Sequence, residues 1–187
     1  MVLPGHLAGG YIATTAVLSS IPWVFTQKEL ALLYIIGILT GEIPDIDLFA
    51  FYFEKKNNND SKNLTHREYI THIPLFWITI SILIALFGII FSSTFIITLS
   101  IVFLVGTISH LILDSIDYGI TWLKPFSSKR FCLFPMKLIP EDPHIVTTGS
   151  LIYYWNYLKS AYLKQVTFYA EIIVTIIALI IFYKNFP

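Results

Sequence analysis

The chain alternates long apolar runs with short polar links, and its ionisable side chains gather where the runs end. Residues 73–92 (IPLFWITISILIALFGIIFS), 94–113 and 168–183 are almost free of charge. Each approaches the roughly 17–25 residues that a helix needs to cross about 30 Å of hydrocarbon. Two earlier runs are less regular. Residues 6–25 include Gly9, Gly10, several hydroxyls and Pro22, and the apolar stretch within residues 29–43 predicts a short or tilted helix. The pattern predicts an all-α fold, a polytopic transmembrane helical bundle of about five membrane helices.

Composition strengthens this reading. The 187 residues are 56 % hydrophobic and 13 % charged, against about 25 % charged in a typical soluble domain. The opening MVLPGH has no basic segment before the first apolar run, so a cleaved signal peptide is not expected and the first helix should remain in the mature protein. A formal net charge of zero supplies no basic field of the kind that marks a nucleic-acid binder, so no nucleic-acid partner is expected. The distribution of charge is more informative. With five spans, Lys55, Lys56, Lys62, Arg67, Lys124, Lys129, Arg130, Lys137, Lys159 and Lys164 fall on the side of the N-terminus, and Lys28 and Lys184 fall opposite. Cytoplasmic loops carry the excess of Lys and Arg, which places the N-terminus and both large loops of this multi-pass membrane chain in the cytoplasm.

No internal repeat is evident, and residues 1–187 read as one integral membrane domain. Within it, residues 1–130 carry the candidate chemistry, 131–167 form a cytoplasmic or interfacial segment, and 168–184 form the last transmembrane helix. The stretch NNND at residues 57–60 reads as a flexible connector. The proline-rich residues 125–143 suggest irregular structure over the cytoplasmic face, and the aromatic and basic residues 149–164 suggest an interfacial helix.

The candidate chemistry lies at one set of run ends. His6 opens the first run, Asp45 and Asp47 follow the second in GEIPDID, His66 and His72 precede the third in THREYITH, and His110 and Asp114 close the fourth in SHLILD. In the predicted topology all seven lie near the cytoplasmic side, though they come from four parts of the chain. Taken singly, each has an ordinary explanation as an interfacial anchor, cap or turn. Together they matter, because ionisable groups in a membrane are costly and mark function by default. His110 and Asp114 stand four residues apart on one helical face, so both can reach one site. Of the two aspartates after Pro44, one could bind a metal while the other orients a histidine. Cys132 is the single cysteine, so a metal here depends on imidazole and carboxylate, a donor set that suits Zn²⁺, Mn²⁺ or Fe²⁺. Seven candidate ligands exceed the three of a typical mononuclear catalytic zinc, which allows for one or two ions. A two-metal site would activate water and stabilise the attacking and leaving oxygens of phosphoester hydrolysis. Arg67 could hold a substrate phosphate, with an ion pair to Glu68 or a lipid-headgroup contact as its alternatives.

These motifs resemble the YdjM-type family of membrane-bound, predicted metal-dependent hydrolases, also described as LexA-binding and inner-membrane-associated. The likeness rests on His6, on GEIPDID (Gly41 to Asp47), on THREYITH with His66, Arg67, Thr71 and His72, on SHLILDSIDYG, and on the Lys124-Pro125-Phe126-Ser127 that follows. It covers roughly residues 5–130. The chain departs from the family pattern at Ile73, where a serine is expected, and at Asp117, where a threonine is expected. The family is in turn similar to the zinc-dependent phospholipase C and P1 nuclease group, a likeness carried only by His110 and Asp114. LexA binding enters solely through the resemblance.

The resulting expectation is a membrane-bound metal-dependent hydrolase acting on a phosphoester, in a lipid or lipid-linked substrate, at the cytoplasmic face. His6, Asp45, Asp47, His66, His72, His110 and Asp114 form the expected metal shell, with Asp47, His72 and Arg67 closest to the chemistry. Two alternatives stay open: a divalent-ion or proton-coupled transporter, and a non-catalytic scaffold tied together by a structural metal.

Overall fold

A computed structural model describes residues 3–48, 66–117, 119–134 and 162–185. Among these the fold is all-helical, with five α-helices: α1 (Leu3–Ser20), α2 (Gln27–Thr40), α3 (Pro74–Ile90), α4 (Thr94–Asp114) and α5 (Val166–Asn185). Short 3-10 turns at Ile43–Ile46, His66–Glu68, Ile70–His72 and Tyr162–Lys164 lie between them. The expected connector at 57–60 lies outside the described residues, as does the expected interfacial helix at 149–164 except for the turn Tyr162–Lys164.

Local chemistry explains where the helices begin and end. Thr26 and Glu29 form a reciprocal capping box at the start of α2, with Thr26 N donating to Glu29 Oε2 at 2.8 Å and Glu29 N to Thr26 Oγ1 at 3.3 Å. Pro22 explains why the first helix stops at Ser20 although the apolar run continues to residue 25. A residue before proline is driven away from helical backbone angles. Pro44 likewise closes the α2 region, and Pro74 opens α3 at a position where its missing N–H costs nothing.

Helix α4 is central, packing against α1, α2 and α3, while α5 packs on α1. Small residues allow close contact. A Cβ placed on Gly106 of α4 would meet Thr40 Oγ1 of α2 at 2.0 Å, so only glycine permits this helix spacing. The distribution of side chains is the reverse of a water-soluble protein. Thr14, Thr40, Ser81, Thr98, Ser100 and Thr107 are buried, whereas Ile82, Leu83, Phe87, Ile90, Ile173 and Leu179 are exposed. Several of the hydroxyls bond to carbonyls of their own helix, as Thr14 Oγ1 does to Gly10 O at 2.8 Å. Such an apolar exterior calls for hydrocarbon rather than water.

Helices α4 and α5, with 21 and 20 residues and a mean hydropathy of 2.3 each, are long and apolar enough to cross a membrane. Helix α3 is equally apolar in character but has 17 residues, because the chain turns at Phe91 to Ser93, where Ser92 adopts φ 50°. Helix α2 has 14 residues, which at 1.5 Å per residue is about 21 Å.

Candidate metal centre

Each ionisable residue reaches the same end of the bundle by a different local device. His110 and Asp114 occupy the last turn of α4, one above the other. The 3-10 turn Ile43–Ile46, begun around Pro44, carries Asp45 back across the end of α2, and Asp47 follows it. The turn Ile70–His72 delivers His72 immediately before Pro74 starts α3. His6 lies in the first turns of α1.

Four of these side chains converge. Asp45, His72, His110 and Asp114 each offer a donor atom, and those atoms all lie within 4.8 Å of one another. Nε2 of His72 is 3.4 Å from Asp45 Oδ1 and 3.9 Å from Asp114 Oδ2. Nε2 of His110 is 3.5 Å from the same Asp45 oxygen and 4.0 Å from the same Asp114 oxygen. His72, His110 and Asp114 are buried, and Asp45 is partly open to the outside.

Both imidazoles are held from behind. His110 Nδ1 is 2.8 Å from the carbonyl oxygen of Gly41, and His72 Nδ1 is 2.9 Å from Asp47 Oδ2. Each contact places the proton on Nδ1 and turns the Nε2 lone pair towards the other ligands. Thr71 Oγ1 also donates to Asp47 Oδ2, and Trp77 Nε1 fixes the Thr71 carbonyl at 2.6 Å, so the carboxylate behind His72 is itself anchored. Gly41 serves a second purpose, since a Cβ there would come within 2.4 Å of the His6 carbonyl oxygen.

The remaining expected residues surround this group. Asp47 stands behind His72 rather than among the four converging donors. His6 stacks on His110 with ring centroids 3.8 Å apart, and its Nε2 lies 3.5 Å from Asp114 Oδ1. Arg67 Nε meets Asp114 Oδ2 at 2.5 Å. Glu68, considered as a partner for Arg67, instead pairs with Arg130 at 2.7 Å. His66 begins the His66–Glu68 turn, and its side chain lies outside the described atoms.

The donor chemistry fits a divalent cation. Nε2 of His110 and Nδ1 of His6 are buried without a hydrogen-bond partner, a cost in a protein interior that a metal ion or a bound water would relieve. Burial opposes a charge on His72, but its hydrogen bonds to Asp45 and Asp47 outweigh that and raise its pKa above the ordinary value. A pocket that attracts a proton in this way also attracts a cation, with which the proton competes.

One interaction near the site was not legible as such in the sequence. Glu171, inside α5, accepts a hydrogen bond from the backbone N–H of Gly5 at 3.1 Å and another from the buried hydroxyl of Tyr162. It thus caps α1 one residue before His6. Among known families, the model described as "YdjM inner membrane protein" matches residues 1–186 of this chain. No curated protein and no solved structure matches it.

Proposed function

The chain belongs to the YdjM inner membrane protein family, and from that premise we propose that it is a membrane-bound, metal-dependent hydrolase of phosphoesters. All five helices would cross the bilayer, with the short α2 accommodated by tilt or local thinning. The excess of Lys and Arg in the long links then sets the N-terminus and the His/Asp end on the cytoplasmic side. At that depth a phospholipid or lipid-linked phosphoester is the substrate class within reach.

One observation carries the reading. Two histidines fixed at Nδ1 by oxygen acceptors aim Nε2 at two carboxylates, the arrangement by which oriented imidazoles serve as ligands. Asp45, His72, His110 and Asp114 would hold the ion, with His6 available to enlarge the shell. Zn²⁺ is the first choice for this donor set, with Mn²⁺ or Fe²⁺ as alternatives. When bound, such an ion supplies Lewis acidity and a water of lowered pKa.

The chain's own groups do the rest. Asp47 keeps His72 in the required tautomer, and the Gly41 carbonyl does the same for His110. Arg67 brings a guanidinium to the edge of the centre, suited to a phosphate oxygen. Asp45, the partly open member of the four, marks the side from which a substrate enters.

The test is hydrolysis by reconstituted protein of a panel of phospholipids and soluble phosphoesters, before and after chelation and zinc return. Zinc-dependent release of phosphate or headgroup, lost in His110→Ala, is the expected result. Full metal occupancy with no turnover across the panel would contradict the hydrolase reading and favour a structural metal.

A further inference from the structure

After α4 the chain folds back along the flank of the bundle. Ile120 is buried against Trp77 and Leu111, which stand three residues inside the ends of α3 and α4. The loop that follows has a fixed shape. Ile120 and Phe131 exchange backbone hydrogen bonds of 3.0 and 2.9 Å, Leu133 N donates to Ser115 O at 2.9 Å, and Trp122 Nε1 donates to Ser115 Oγ at 2.9 Å.

This well-tied loop nevertheless turns its large apolar side chains outward. Phe126 is 88 % exposed and Leu123 65 %, with Phe131 and Leu133 also open. Lys129 and Arg130 are exposed beside them, and Lys124 is half-exposed. Leu75 and Ile112, at the same ends of α3 and α4, are exposed as well. An apolar patch fringed by cations and continuous with the outer face of an inner-membrane bundle matches the boundary between acyl chains and anionic headgroups.

We infer that residues 120–133 form a membrane-interface element, with Leu123, Phe126, Phe131 and Leu133 seated in the acyl boundary of the leaflet beside the His/Asp centre and Lys129 bound to anionic headgroups. The inference does not depend on hydrolysis. Two contacts tie the loop to the turn that carries Arg67: Arg130 Nη2 to Glu68 Oε1 at 2.7 Å, and Lys124 Nζ to Glu68 O at 3.5 Å. Headgroups gathered by Lys129 therefore lie next to that turn.

The test uses the full chain in vesicles of phosphatidylcholine with phosphatidylglycerol. In a Cys132→Ser background, Phe126→Cys is labelled with an environment-sensitive fluorophore; position 126 is so exposed that the exchange leaves the core untouched. The expected result is blue-shifted emission that a shallow doxyl lipid quenches and aqueous iodide does not. Adding Lys129→Glu should weaken the lipid quenching in the anionic vesicles and leave it unchanged in phosphatidylcholine alone. Iodide quenching as strong as that of free dye would overturn the inference by placing the loop in water. Lipid-independent shielding together with a disulfide between two Phe126→Cys chains would overturn it by assigning the face to a second copy.

Discussion

The two ends of this helical bundle are built on opposite principles. At the end formed by residues 21–26 and 91–93, polar groups are satisfied by near neighbours. Thr26 and Glu29 cap one another, Ser93 Oγ accepts from Ile96 N at 3.4 Å, and Ser93 N donates to Gly88 O at 2.8 Å. At the other end the partners are remote in sequence: Gly5 with Glu171, Gly41 with His110, Asp47 with His72, and Arg67 with Asp114. Short-range caps are inexpensive ways to finish a helix. Gathering three histidines and three aspartates from distant segments into a mostly buried cluster is costly, and a fold whose only need was to close its helices would use caps at both ends.

That contrast can be broken from either side. The largest effect should come from His72→Ala at the gathered end. In detergent, zinc should raise the unfolding temperature of the wild type, with about 2.7 kcal/mol of stabilisation at a hundredfold excess over Kd, and the variant should show no such rise. Gly41→Ala comes next. Its new methyl would press on the His6 carbonyl and shift the oxygen that holds His110, so thermal unfolding should report a loss of about 1–3 kcal/mol, accompanied by weaker zinc binding.

Asp47→Asn leaves all four converging donors in place and alters only what stands behind His72. A zinc titration against a competing chelator should show affinity weakened by roughly 10–100-fold; unchanged affinity would mean that the carboxylate does not orient the ring. The smallest effect belongs to the capped end. Thr26→Ala should cost about 1 kcal/mol of stability and leave zinc affinity unaltered, and a change in zinc affinity there would show the two ends to be coupled.

Much of this organisation is written in local patterns. The apolar runs place all five helices, and α4 matches its run to within one residue because Ser93 caps one end and the charged Asp114 finishes the other. His110 and Asp114 could be paired in advance, since helical geometry alone sets them on one face. Other features could not. The division of labour between Asp45 and Asp47 depends on a 3-10 turn whose path is set by the packing of α2 against α1 and α4. The assignment of Glu171 to the N-terminus of α1 spans almost the whole chain, and no periodicity encodes such a contact. The Gly41 carbonyl is a backbone acceptor, so residue type carries no sign of it.

The central claim is that the gathered end holds a metal ion, and the metal content of the purified protein tests it most directly. Elemental mass spectrometry on detergent-purified wild type, run beside His110→Ala of equal folded yield, should find about one or two zinc or manganese ions per chain in the first and a clear loss in the second. Wild type purified without metal, and still taking up none after incubation with zinc and manganese, would contradict the account and leave the histidines and aspartates as a buried ionic network.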